Sequence, residues 1–150
     1  MMSSLLGKIT SAWKRPPGWI VSQPSDWRQF LRALAKLVPA DSTLVIQGAG
    51  SPPEDVAAFL KACAPQECMS ITSWRTWRIP ATPANLNGLA DVDKYYESSH
   101  GSIQISVVHE KKTLLFAHDA FLDPFWISKE LAEDKVVAFC EELGLTFKAG

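Results

Sequence analysis

Apolar residues recur at helical spacing in three segments of the chain. Residues 25–37, 53–63 and 132–143 each place them three or four positions apart, which is typical of a helix with one buried face. The three stripes consist of Trp27, Phe30, Leu31, Leu34 and Val38, of Val56, Phe59, Leu60 and Cys63, and of Ala132, Val136, Phe139, Cys140 and Leu143. Gly144 then stands where a helix C-cap belongs. Residues 83–96 predict a loop and a further helix, although Gly88 interrupts the stripe.

Shorter apolar runs predict the strands. Residues 43–47 form a short apolar segment centred on Leu44, Val45 and Ile46, which favours a central strand over an edge strand. Residues 69–79 are rich in β-branched and aromatic residues and end before Pro80. Residues 145–147 predict a last short strand, whereas residues 125–131 fit either a strand or the start of a helix.

Residues 102–108 and 113–118 predict a hairpin that turns at residues 110–112. We expect His109 to pair with Leu114 across a four-residue loop, because two lysines are poor residues for a tight turn. In this register one face of the hairpin is buried and the other is wetter. The buried face carries Ile103, Ile105, Val107, Leu114 and Phe116.

The order of these segments predicts a mixed α/β, α+β-like fold. It consists of a single sheet with a C-terminal antiparallel hairpin, covered by about four helices. We expect one domain over residues 25–150, preceded by a basic amphipathic arm over residues 1–24.

The expected arm carries three basic residues and no acidic one, and its apolar residues share one helical face. Such an arm can contact a membrane surface, grip a partner, or fold back onto its own domain, and we favour the last of these. It lacks the long apolar core of a secretory signal, and we expect no transmembrane segment. The residues concerned are Leu5, Leu6, Ile9 and Trp13 on the apolar face, with Lys8, Lys14 and Arg15.

Charge is unevenly distributed along the 150 residues. Residues 1–78 carry nine Lys/Arg against five Asp/Glu, and residues 79–150 carry six against eleven, for a net charge of −1 overall. This asymmetry favours self-association or a charged protein partner, whereas the overall balance disfavours nucleic-acid binding. The three cysteines, Cys63, Cys68 and Cys140, form neither a disulfide framework nor a zinc-ligand pattern, which indicates a reducing, cytoplasmic location.

A glycine-containing segment follows the predicted strand at residues 43–47. Gly48, Gly50 and Ser51 could hold an anion at the start of the next helix. The segment nevertheless lacks the third glycine of the dinucleotide motif and the Gly-Lys-Ser/Thr end of the phosphate loop. We therefore expect a structural helix start, with an anion site as the weaker alternative.

Basic and aromatic residues interleave in one segment, at Trp74, Arg75, Trp77 and Arg78. Strand alternation places Trp74 and Trp77 on opposite faces, so the two rings do not form one stacking platform. Burial of one ring in the core is the simplest interpretation. Because Trp and Arg are enriched at interface hot spots, these four residues are also our candidates for a protein-binding surface.

Three histidines lie nine positions apart, at His100, His109 and His118, but the expected hairpin separates the last two by about 13 Å. This distance is too long for two ligands of one metal, and we predict no metal site and no cofactor. His118 with Asp119 or Asp123 could form an acid/base pair at a strand end. No serine or cysteine nucleophile motif accompanies that pair.

These features favour a small cytoplasmic protein without enzymatic activity, one that binds a protein partner or itself and acts as a regulator. The alternative is a small enzyme that uses His118 with Asp119 or Asp123. A nucleic-acid binder that uses the Trp74 to Arg78 segment is a more distant third possibility.

Overall fold

The structure is a computed structural model that describes residues 16–49, 54–63, 68–69, 74–92, 103–118 and 122–150. This part of the chain contains eight strands and four helices. The strands are β1 (Gly18–Val21), β2 (Thr43–Ala49), β3 (Cys68–Met69), β4 (Trp74–Pro80), β5 (Ile103–His109), β6 (Lys112–Ala117), β7 (Phe125–Ser128) and β8 (Phe147–Ala149). The helices are α1 (Trp27–Leu37), α2 (Glu54–Cys63), α3 (Pro83–Val92) and α4 (Glu133–Leu143).

All eight strands form one sheet in the order β3-β4-β2-β5-β6-β7-β1-β8. Every pair of neighbours is antiparallel. The predicted fold class, a single sheet with an antiparallel hairpin and about four helices, is therefore confirmed. The predicted central strand is also confirmed, because β2 lies between β4 and β5.

The helices pack together over one face of the sheet. Helix α1 contacts both α3 and α4, and α3 also contacts α2. Phe30 of α1 packs edge-on against Phe125 of β7 and Phe139 of α4, with ring centroids 5.8 and 5.9 Å apart. One continuous core joins the buried helix residues to alternate residues of the strands. This is the arrangement of a two-layer sandwich.

Local signals explain where two of the helices begin and end. The Asp26 carboxylate accepts hydrogen bonds from the backbone N–H groups of Arg28 and Gln29, at 3.0 and 3.2 Å, so Asp26 caps α1. Gly144 ends α4 in the left-handed conformation, with φ at 67°, as the sequence predicts. Among the described helices, none has the length and apolarity that a membrane crossing needs.

The predicted loop and register of the hairpin are wrong. Strands β5 and β6 are joined by two residues only, Glu110 and Lys111, with φ at 50° and 68°. Two positive φ angles define the tight turn that matches the twist of paired strands, and His109 pairs with Lys112 instead of Leu114. Sequence preference disfavoured this turn, but the packing of both strands overrides that preference.

A bulge in β6 then shifts the register by one residue. Val108 pairs with Thr113 and Val107 pairs with Leu115, which leaves Leu114 as the additional residue. Leu115 and Ala117 therefore occupy the buried face. Phe116 points to the opposite face, which corrects its predicted place in the core, because a shift of one residue exchanges the faces of a strand.

The predicted boundary between arm and domain is also wrong. Residues 18–21 form β1, which is paired on both sides with β7 and β8 inside the sheet. Trp19 and Val21 belong to the core. The domain therefore includes Gly18, and the part of the expected arm over residues 1–15 lies outside the described residues.

Candidate interaction surface

The sheet face opposite the helices is called here the open face, because none of the described elements packs against it. On the covered face, residues such as Leu44, Ile46 and Ile105 are fully buried. On the opposite face, residues such as Gln104 and Phe116 are partly or largely exposed, whereas Val45 and Thr76 are only 8% exposed. An antiparallel sheet with one solvated face usually carries polar residues there. This open face carries large apolar ones as well.

One row of residues crosses seven strands on the open face, and each member is paired with the next. The cross-strand row consists of Arg78, Val45, Ser106, Phe116, Trp126, Ile20 and Lys148. Six strand spacings separate its ends, which corresponds to about 29 Å. The seven side chains are neighbours in register, and all of them except Val45, which is only 8% exposed, are partly or largely exposed to solvent.

The centre of the cross-strand row is apolar. Phe116 has 40% of its surface exposed and is one of two large exposed apolar residues in the described chain. Trp126 and Ile20 beside it are partly exposed. Gly18 lies beneath Trp126, since a β-carbon at Gly18 would overlap the indole nitrogen. The absence of a side chain at Gly18 lets the indole lie close to the sheet.

Both ends of the cross-strand row are basic. Arg78 and Lys148 are exposed, and the five residues between them carry no formal charge. The eight described strands contain no Asp or Glu at all, whereas acidic residues occur on α2, α3 and α4. The open face is therefore the more positive side of a molecule with a net charge of −1.

The predicted Trp/Arg segment is divided by the structure. Trp77 is 1% exposed and packs in the core, so it cannot contact a partner from the folded protein, which corrects its assignment to the binding surface. Alternation places Trp77 beside Ile46 on the covered face. Arg78 lies on the open face, and the side chains of Trp74 and Arg75 lie outside the described residues.

His118 lies at the end of β6 on the open face. Its Nδ1 is 3.0 Å from Nε2 of Gln104, and its ring stacks on Phe116 with a centroid distance of 6.5 Å. These contacts orient the imidazole at an exposed position. Asp123 is exposed in the segment before β7, and Asp119 lies outside the described residues.

A cavity of about 520 Å³ lies at the opposite end of β6 from His118. Five residues separate Thr113 in its wall from His118, which corresponds to about 16 Å along a strand. This cavity is therefore too far from His118 to serve as the substrate pocket of the acid/base alternative. Its wall consists of Pro16, Pro17, Lys112, Thr113, Ser128, Lys129 and Glu130.

The weaker anion site is only partly within the described chain. Gly48 lies inside β2, aligned with Arg75 of β4 and Ile103 of β5, rather than in a loop. Its backbone belongs to the sheet, which corrects its assignment as an anion ligand. Gly50 and Ser51 lie outside the described residues.

One group of described residues has donor atoms close enough to share a metal ion, namely Asp41, His109 and Glu110, within 4.8 Å of one another. His109 Nε2 is 2.9 Å from Asp41 Oδ1, so these two side chains already satisfy each other. Both carboxylates are exposed. We assign the pair to a surface contact that fixes the loop before β2 against the end of β5.

The two described thiols are unpaired and poorly reactive. Burial raises the pKa of Cys140 from 9.0 to about 11, and it also raises the pKa of Cys63. The thiolate is the nucleophilic form, and a raised pKa makes it scarce at neutral pH. Both cysteines lie on the buried stripes of their helices, as predicted, and neither is suited to nucleophilic catalysis.

Sequence reasoning did not find the centre of the cross-strand row. Ile20 was assigned to the arm, Phe116 to the core, and Trp126 to a segment of undecided structure. The alternation Phe125-Trp126-Ile127-Ser128 was the available signal, since it places Trp126 opposite two buried neighbours. Comparison of the chain with protein-family models, curated proteins and solved structures gives no match.

Proposed function

We propose that this protein acts by binding another protein through the open face of its sheet, without catalysing a reaction. The observation that carries this proposal is the apolar centre of the cross-strand row, at Phe116, Trp126 and Ile20. These are large side chains presented side by side on the solvent side of a sheet that already has a complete core behind it.

The energetics favour an interface at this place. Large apolar side chains gain about 25 cal/mol for each Å² that a partner removes from water. Aromatic residues are enriched in the centres of protein interfaces, where they pair with a polar or charged rim. Arg78 and Lys148 provide such a rim at the two ends of the cross-strand row.

The size of the open face is also suitable. A row of about 29 Å on strands of about 20 Å covers roughly 600 Å². A stable protein interface buries about 800 Å² on each partner. The open face and its margins thus provide an area of the required order.

The proposed role is regulatory: the protein acts on its partner by binding to it. We place it in the cytoplasm, supported by the unpaired thiols of Cys63 and Cys140, which suit a reducing compartment. The position of His118, exposed and distant from the cavity beside Thr113, favours binding over the acid/base alternative.

Photo-cross-linking from the open face tests the proposal. A protein with p-benzoylphenylalanine in place of Phe116 is expected to capture a partner in cells, whereas the same group in place of Ala138, exposed on α4, is expected not to capture it. The captured protein is identified, purified, and titrated against the unmodified chain by calorimetry.

The decisive comparison uses Phe116→Ser with Ala138→Ser as its matched control. We expect Phe116→Ser to weaken binding of the purified partner by more than tenfold, because it removes the central apolar contact, and Ala138→Ser to leave it within twofold. Equal binding by Phe116→Ser, or the same adduct from both labelled positions, would contradict the proposal.

A further inference from the structure

Charge restricts the kind of partner that fits the open face. The cross-strand row ends in Arg78 on one side and Lys148 on the other, both exposed, with an uncharged centre. Because no Asp or Glu occurs in the eight described strands, neither cation has an acidic neighbour within the sheet. Among the described residues, neither cation forms an ion pair.

We propose that the partner presents an acidic surface with an apolar centre, and that its carboxylates contact Arg78 and Lys148. This inference rests on the proposed function and adds the chemistry of the partner to it. Carboxylates at the rim of an apolar contact attract the two cations, which fixes the orientation of the two proteins. They also provide specificity, because a partner with a basic rim would be repelled.

The two cations lie at unequal distances from the apolar centre of the cross-strand row, and this favours one orientation of the bound partner. Lys148 is one strand from Ile20, about 5 Å, while Arg78 is three strands from Phe116, about 14 Å. A partner therefore requires one carboxylate close to its apolar centre and another much farther away on the other side. This asymmetry favours one orientation of the partner over its reverse.

A second copy of the chain does not meet this requirement. Two open faces can stack about a two-fold axis that runs along the cross-strand row or across it. The first arrangement places each cation against its own counterpart, and the second places Arg78 against Lys148. Both arrangements bring like charges together, which costs binding free energy.

The chain's own first residues and nucleic acid are also poorly matched. Residues 1–15 contain Lys8, Lys14 and Arg15 and no acid, so their charge has the same sign as the rim of the open face. Nucleic-acid affinity depends mainly on repeated phosphate contacts. The cross-strand row has a cation only at each end of its 29 Å, with aliphatic Val45 and Ile20 between.

Three immobilised peptide libraries test this inference. Each consists of 12-residue peptides with Leu, Phe or Trp at alternate positions, and the remaining positions are only Asp/Glu, only Lys/Arg, or only Ser/Gln. The full chain is expected to be retained by the acidic library, with retention that falls as salt rises. A fluorescent fifteen-residue oligothymidine is the nucleic-acid probe.

The matched variants carry two charge reversals each. Arg78→Glu with Lys148→Glu is expected to weaken binding of selected acidic peptides at least tenfold, while Lys61→Glu with Lys135→Glu, on α2 and α4, changes it less than twofold. Both double variants change the net charge equally. Phe116→Ser should weaken binding of acidic peptides regardless of these reversals.

The outcomes separate this inference from the proposed function. Preference for the basic or neutral library, with loss on Phe116→Ser, would overturn the acidic partner and leave protein binding on the open face intact. No peptide retention, or equal effects of the two double variants, also overturns it. Retention of oligothymidine alone would overturn both proposals, and a dimer in light scattering that Phe116→Ser dissolves would identify a second copy instead.

Discussion

The indole nitrogen of Trp126 lies against Gly18, at the place where any other residue would carry its β-carbon. The carbonyl oxygen of Ile127 is equally close to that position, so a side chain there has no free space on either side. Gly18 and Trp126 are on neighbouring strands, β1 and β7. The apolar centre of the open face thus depends on the absence of a side chain at Gly18, two positions before Ile20.

Gly18→Ala is expected to destabilise the protein by about 1–3 kcal/mol, because the added methyl overlaps Trp126 and the Ile127 carbonyl and forces β1 and β7 apart. Urea unfolding followed by tryptophan fluorescence measures the loss. Gly144→Ala is the comparison, since its position is open and its cost of about 1 kcal/mol comes from the left-handed backbone alone. A Gly18→Ala protein as stable as the wild type would contradict the described contact.

Phe116 and Leu115 are adjacent in β6, but we expect opposite consequences from their substitution. Leu115→Ala should cost about 2–5 kcal/mol because it leaves a cavity in the core. Phe116→Ser should change the free energy of unfolding by no more than about 0.5 kcal/mol, since its ring is on the open face. Chemical denaturation of both variants measures the two losses of stability. A larger loss for Phe116→Ser than for Leu115→Ala would support the register predicted from the sequence.

The tight turn of the hairpin offers a stabilising substitution. Glu110 and Lys111 both have positive φ, which is unfavourable for residues with a side chain. Glu110→Asn with Lys111→Gly should raise the free energy of unfolding by about 1–2 kcal/mol, because these residues prefer this turn.

The control for the turn is Lys135→Gly in α4, where the same kind of change should cost about 1 kcal/mol. Thermal and urea unfolding of the variants test the signs. If Lys111→Gly lowered the free energy of unfolding by as much as Lys135→Gly does, the two-residue turn at Glu110 and Lys111 would be contradicted.

Stability should fall at high pH through Cys140. Its folded pKa of about 11 lies above its ordinary value of 9.0, so the folded state resists ionisation of the thiol. The contribution is fully present below pH 9 and is lost as the pH rises from 9 to 11, by about 1–3 kcal/mol.

The measurement compares urea unfolding of the wild type and Cys140→Ala at pH 8 and pH 10.5. Other groups titrate equally in both proteins, so the difference between them isolates this thiol. The expected result is a steeper loss of stability in the wild type. Parallel pH profiles would show that Cys140 ionises freely in the folded protein.

The sequence by itself determined the elements with a strong period. The stripes of α1, α2 and α4, the apolar centre of β2 and the C-cap at Gly144 required only local spacing, because a helix or buried strand repeats its own pattern along the chain. The fold class follows from their order.

Tertiary structure alone decided which side chains of the strands β1, β6 and β7 face solvent. The bulge at Leu114 reversed the face of Phe116, and β1 became a strand only because β7 and β8 pair with it. Alternation along one strand gives two faces without indicating which is covered. That choice depends on register and on the position of the helices, which involve contacts between residues far apart in the chain.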